Sequence, residues 1–104
     1  MPNDRQAGMF SAVAHLMKAV AAGADPADGR AVVAAMKAMP TDDPIHGPGR
    51  IRTVDRKLHP VHLFTTKAPA ESTGEWDFYR SLAIIPATDA FRPLAEGGCP
   101  LIRA

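Results

Sequence analysis

Residues 4 to 22 carry an apolar stripe of helical period, and any fold of this chain has to cover it. Met9, Val13, Leu16, Met17 and Val20 recur along one helix face, with Phe10 on its flank and Ser11, His15 and Lys18 on the other side. Asn3 or Asp4 can cap the start, Gly23 supplies a left-handed stop, and the alanines between favour helix. A second helix is expected at once. Asp25 is a natural N-cap, Pro26 suits the first helical position, and Asp28 sits near the positive helix end. Val32, Val33, Met36 and Met39 give its buried side, and Pro40 ends it. The helix pair over 4–39 reads as an αα-hairpin. Its stripe is stabilised by burial and not by propensity alone, so it needs a partner surface.

Beyond Pro40 the signals change. Thr41 to Gly49 is rich in turn formers and reads as loop. Ile51–Val54 and Pro60–Thr66 read as two strands joined by a polar turn at Asp55-Arg56-Lys57, a hairpin with Pro60 at its edge. Lys67–Glu75 is a second polar loop. Trp76–Ile85 reads as a further strand ending at Pro86. The last residues, 87–104, read as an irregular tail with a helical turn around 89–94. The expected class is α+β, a single partial domain with its strand region over 50–86.

A chain of 104 residues is one domain or less, and 46% hydrophobic with 22% charged residues is a globular composition. A net charge of +1 with scattered Lys and Arg gives no basic stripe, which argues against nucleic acid as a partner. The start has no cationic run followed by an apolar core, so no signal peptide is read, and no apolar run approaches the ~20 residues that cross a bilayer. Cys99 is the lone cysteine, which leaves pairing outside the chain or a small free thiol near the terminus.

Catalytic chemistry finds little support. His59 and His62 are three apart on a strand entry, where that offset points side chains to opposite faces. With no cysteine pair or helical HExxH beside them, no metal site is expected, and the four histidines read as solvent-facing. Ser11, Ser72 and Ser81 lack a nucleophile-elbow context. Gly47-Pro48-Gly49 leads into neither a Lys-Ser/Thr pair nor a helix start, so it does not match a phosphate cradle. Asp42 and Asp43 are adjacent loop acids, normally just solvated. The chain is expected to be no enzyme and to need no cofactor. Trp76, Phe78 and Tyr79 are expected to pack structurally.

The last third carries the strongest pattern: Trp76-Asp77-Phe78-Tyr79, then Ile85-Pro86, Ala90-Phe91-Arg92-Pro93-Leu94, and Gly98-Cys99-Pro100-Leu101. With Gln6-Ala7-Gly8-Met9-Phe10-Ser11-Ala12-Val13, Gly49-Arg50-Ile51-Arg52 and Lys67-Ala68-Pro69-Ala70-Glu71-Ser72, it resembles the C-terminal part of the periplasmic solute-binding proteins of ABC transporters, of the branched-chain amino acid receptor type. The family's hairpin turn often carries glycine, where this chain has Val54-Asp55-Arg56.

That resemblance implies a parent with two α/β lobes closing on a ligand, its helix pair on one lobe and its strands near the hinge and the other. It implies uptake of a branched-chain amino acid or related small carboxylate (aromatic acids included), an ABC transporter permease as partner, and a periplasmic location belonging to a longer precursor. Phe10 falls where the family carries tyrosine, so the resemblance gives Phe10, with Met9 beside it, a place lining the ligand cleft; phenylalanine lacks the hydroxyl. The alternative expectation is a stand-alone structural module that buries its helix stripe in a homodimer.

Overall fold

The capping signals at the start act as the sequence predicts. The computed structural model describes residues 3–54, 56–98 and 100. Helix α1 spans Asp4–Ala21. The Asn3 side chain accepts from the Gln6 backbone N–H and the Gln6 side chain accepts from that of Asn3, each at 3.0 Å, a reciprocal capping box. Gly23, at φ 105°, turns the chain beyond the helix. Helix α2 starts later than expected, at Gly29, and runs to Ala38. Asp28, not Asp25, is its N-cap, accepting from the N–H groups of Arg30 and Ala31. Asp25 instead accepts from the Ala27 N–H in a local turn, so Pro26 sits in that turn and not at the helix start.

The residues expected as loop after Pro40 contain two strands. β1 (Thr41–Asp43) and β2 (Gly47–Ile51) pair antiparallel, with Gly47 in the left-handed region at φ 65°. β2 also pairs with a two-residue strand, β3 (Lys57–Leu58), giving the order β1-β2-β3. The expected pairing of residues 51–54 with 60–66 does not form. Pro60 has no N–H to continue the ladder, and β4 (Val61–Thr66) leaves to pair with β5 (Tyr79–Ile85) in a separate two-stranded ribbon. That ribbon has a bulge at the Leu63–Phe64 step. Trp76 precedes β5 in a turn, at φ 70°. The tail holds a short helix, α3 (Ala87–Ala90), and a 3-10 turn at Leu94–Gly97. Helices followed by antiparallel strands is the α+β succession read from the sequence; the strand region opens at Thr41, not at residue 50. Asp55, Cys99 and Leu101 lie outside the described residues, and with them the expectations for the hairpin turn and the thiol.

Packing inverts the expected sides of α1. Ser11, His15 and Ala19, one turn apart each, are the buried positions, facing α2 and β1, while Met9, Phe10, Val13, Leu16 and Met17 are exposed. Among the described residues the buried apolar side chains are Ala19 and Val32. On α2, Val33 is exposed. The β4–β5 ribbon makes at most slight contact with the other elements and exposes Leu63, Phe64, Leu82 and Ile84. Trp76, Phe78 and Tyr79, expected in a core, are exposed with it. The molecule measures 53 × 34 × 18 Å with a radius of gyration of 17.1 Å, against about 13 Å for a compact domain of this size.

Candidate functional site

The buried face of α1 and the first sheet meet around one carboxylate. The Asp43 side chain is 6% exposed and ends β1. Its Oδ2 accepts from Ser11 Oγ at 2.6 Å and from Lys57 Nζ, which also donates to Ser11 Oγ at 2.8 Å. Its Oδ1 accepts from the backbone N–H groups of Ile45 and His46, both at 2.9 Å. Burial alone would push this carboxyl up, but the bonds from Lys57, Ser11, His46 and Ile45 outweigh it and hold it well below the usual carboxylate range. α1 brings Ser11, the β1–β2 turn brings His46, and β3 brings Lys57. An acid expected to be solvated is the centre of the polar cluster, because a lysine from 14 residues away and a serine on the helix converge on it.

Three of the four histidines gather beside it. His15 is 6% exposed and its Nε2–H donates to the Met36 carbonyl at 2.8 Å. The His46 and His59 rings lie 4.5 Å apart, and the His59 Nδ1–H donates to the Pro60 carbonyl at 2.8 Å. Desolvation lowers the His46 pKa, and His59 and Lys57 add to it against the opposing pull of Asp43. The solvent-facing expectation therefore holds for His62, exposed and stacked on Phe64, but not for His15. Together with Thr41, Met36, Ile51 and Ala12, these side chains line a cavity of about 300 Å³. Among the described residues no group of three potential metal ligands converges.

The residues expected to line a ligand cleft lie elsewhere. Met9 and Phe10 are 66% and 54% exposed on the outer side of α1, among the uncovered apolar stripe, and take no part in the cavity. The cluster itself was missed in the sequence because its members are separated by up to 46 residues. The nearest signal was Asp43-Pro44-Ile45-His46, a turn in which the aspartate caps the next two free N–H groups.

Among the described residues this cluster holds no nucleophile poised beside a free base, since Ser11 Oγ is spent between Lys57 and Asp43. No protein-family model matches the chain, and no curated protein matches it. Solved structures do. A periplasmic binding protein from Burkholderia mallei superposes with a TM-score of 0.89 at 38% identity, over 99% of this chain and 27% of its own. The chain has the fold of a segment of a periplasmic binding protein. A branched-chain amino acid ABC transporter periplasmic ligand-binding protein from Burkholderia xenovorans matches equally, with a TM-score of 0.88 and 35% identity over 97% of this chain and 27% of that one. The chain therefore spans about a quarter of the length of these two proteins. Among the described residues, none of its helices is long and apolar enough to cross a membrane.

Proposed function

We propose that the chain serves as the C-terminal part of an ABC-transporter substrate-binding protein that takes up branched-chain amino acids or related small carboxylates, aromatic acids included. On this reading the rest of the two-lobed protein covers the apolar faces of α1 and the β4–β5 ribbon. Phe10 and Met9 then contribute to one wall of the interlobe cleft, and the assembled receptor works in the periplasm with a permease. The carrying observation is surface. The chain exposes 7925 Å², where a folded monomer of its mass exposes about 5,700 Å². An excess of roughly 2,200 Å² is far more than the ~800 Å² per partner that a standard interface covers.

Co-expression with the rest of the Burkholderia mallei protein tests the reading. A 1:1 complex that binds leucine, isoleucine or valine in titration calorimetry is expected, while the chain alone binds none, because a cleft needs polar groups from both walls. Saturable micromolar binding by the chain alone, or no complex, sinks it. One observation favours a second reading: the α1 stripe is a single continuous face that two-fold pairing can bury, making the chain a homodimeric interaction module without ligand. Light scattering of the chain without its complement separates the two.

A further inference from the structure

The pleat of the first sheet sends its cations to opposite sides. Ile51 pairs with Lys57, and both line the cavity where Lys57 meets Asp43. Arg50 pairs with Leu58, and the Arg52 N–H donates to the Arg56 carbonyl at 3.0 Å, which continues the same register. Directly opposed residues share a face with their i+2 neighbours. Arg50, Arg52 and Arg56 therefore lie together on the face turned away from Asp43. Arg92 joins them from the tail, where its backbone carbonyl accepts from Arg52 Nη1 at 2.9 Å. Four arginines that look scattered in the sequence thus gather along two adjoining grooves, of about 810 Å³ and about 290 Å³, and Arg52 and Arg92 line both.

Nothing described in the chain balances this charge. Among the described residues none of the four arginines forms an ion pair, and no aspartate or glutamate lines either groove; Asp89 and Glu96 of the tail stay outside. Arg52 faces Arg56 directly, a like-charge pairing that destabilises a sheet. Arg52 is also half-buried, where an uncompensated charge costs more. Between the arginines the larger groove is mostly apolar, with Leu58 and Phe91 in it.

We propose that this face docks an acidic peptide segment, its carboxylates on Arg50, Arg52, Arg56 and Arg92 and its apolar side chains against Leu58 and Phe91. Guanidinium groups pair with carboxylates in a planar, two-point geometry, which suits a partner that must be held in register. A nucleic-acid backbone would use the charge and leave the apolar part bare. The larger groove is already in the upper range of small-molecule sites and runs on into a second, which suits a length of chain. None of these residues lies on α1 or the β4–β5 ribbon, so the face is separate from the two uncovered apolar surfaces.

A capped peptide alternating glutamate and leucine, its glutamine counterpart and a single-stranded oligonucleotide are titrated into the chain by calorimetry at two salt concentrations. The glutamate peptide should saturate, weaken as salt rises, and bind at least about tenfold tighter than the glutamine peptide. Arg50 and Arg56 are exposed, so the double variant Arg50→Gln, Arg56→Gln should keep its fold and weaken the glutamate peptide about tenfold, the worth of two exposed ion pairs. Arg5→Gln with Arg30→Gln removes the same net charge from exposed positions outside the grooves and should change nothing. The Arg50, Arg56 double variant should also melt no lower than the parent chain, because it relieves repulsion. Absence of saturation, equal binding of the glutamine peptide or the oligonucleotide, equal losses in the two double variants, or a lower melting temperature in the first overturns the proposal. None of these outcomes bears on whether the chain assembles with the rest of a receptor.

Discussion

Asp43 sits where two elements would otherwise part, and its partners set how the chain responds to substitution and to pH. Lys57→Met removes the counter-charge and leaves a carboxylate that is 6% exposed. Breaking such a pair typically costs about 3–5 kcal/mol. Urea denaturation at pH 7 should show that loss, and the Lys57→Met, Asp43→Asn double variant should recover part of it; an unchanged midpoint in the single variant would mean the pair is unimportant. The His46 pKa is lowered in the folded chain, so the unfolded chain binds the extra proton first. Stability from this group is fully present above the ordinary value of 6.5 and falls as the pH drops below it. Asp43 and Asp77 act at lower pH: both are depressed, so their contribution is present above 3.8 and lost on further acidification, for Asp77 down to about 2. Melting temperature should therefore begin to fall near pH 6.5, and His46→Gln should remove that first step. Little of this centre could be read in the sequence. Asp42 and Asp43 look alike there, and only the pairing of Thr41 with Gly49 and the arrival of Lys57 on β3 decide which one is buried.

The first sheet is held together by a close approach at Gly49. A Cβ there would run into the Leu58 carbonyl and come within 2.8 Å of Thr41 Oγ1. Gly49→Ala should therefore lower the melting temperature, displace β3 from β2 and, because Thr41 lines the cavity, perturb the His46 resonances. At Trp76 the sign reverses. A bulky residue at φ 70° carries backbone strain of about 1–2 kcal/mol, and its ring is exposed. Trp76→Gly should gain stability of that order, less the edge-to-face contact with Phe78; a loss in thermal denaturation would show the ring contact to be worth more than the strain. Both helices were legible from their period, and α1 from its cap as well, but the start of α2 was not, because Asp25 and Asp28 are both capping residues and Asp25 closes a local turn instead. Strand pairing was not, since it depends on which segment Pro60 releases, and a two-residue strand such as β3 leaves almost no pattern to read.

At the scale of the whole molecule, what matters is which surfaces are left uncovered. The period of α1 was legible and the side it buries was not: the polar side faces α2 and β1, and the apolar stripe is left outward. Such a stripe is unusual on a soluble monomer. A second uncovered apolar surface lies on the β4–β5 ribbon, which packs only slightly on the rest. Met17 and Ile84 are each about 60% exposed, one on each surface, so replacing either with aspartate leaves the chain's own packing almost untouched. Covering such a side chain contributes about 1.5–3 kcal/mol, and a charge in its place costs more. If one body of two-lobed receptor covers both surfaces, Met17→Asp and Ile84→Asp should each abolish co-purification with the rest of that protein. If the chain instead pairs with a second copy through α1, Met17→Asp should give monomers in light scattering while Ile84→Asp leaves the dimer intact. Capture that survives both substitutions would refute the idea that these faces are where the rest of the protein packs.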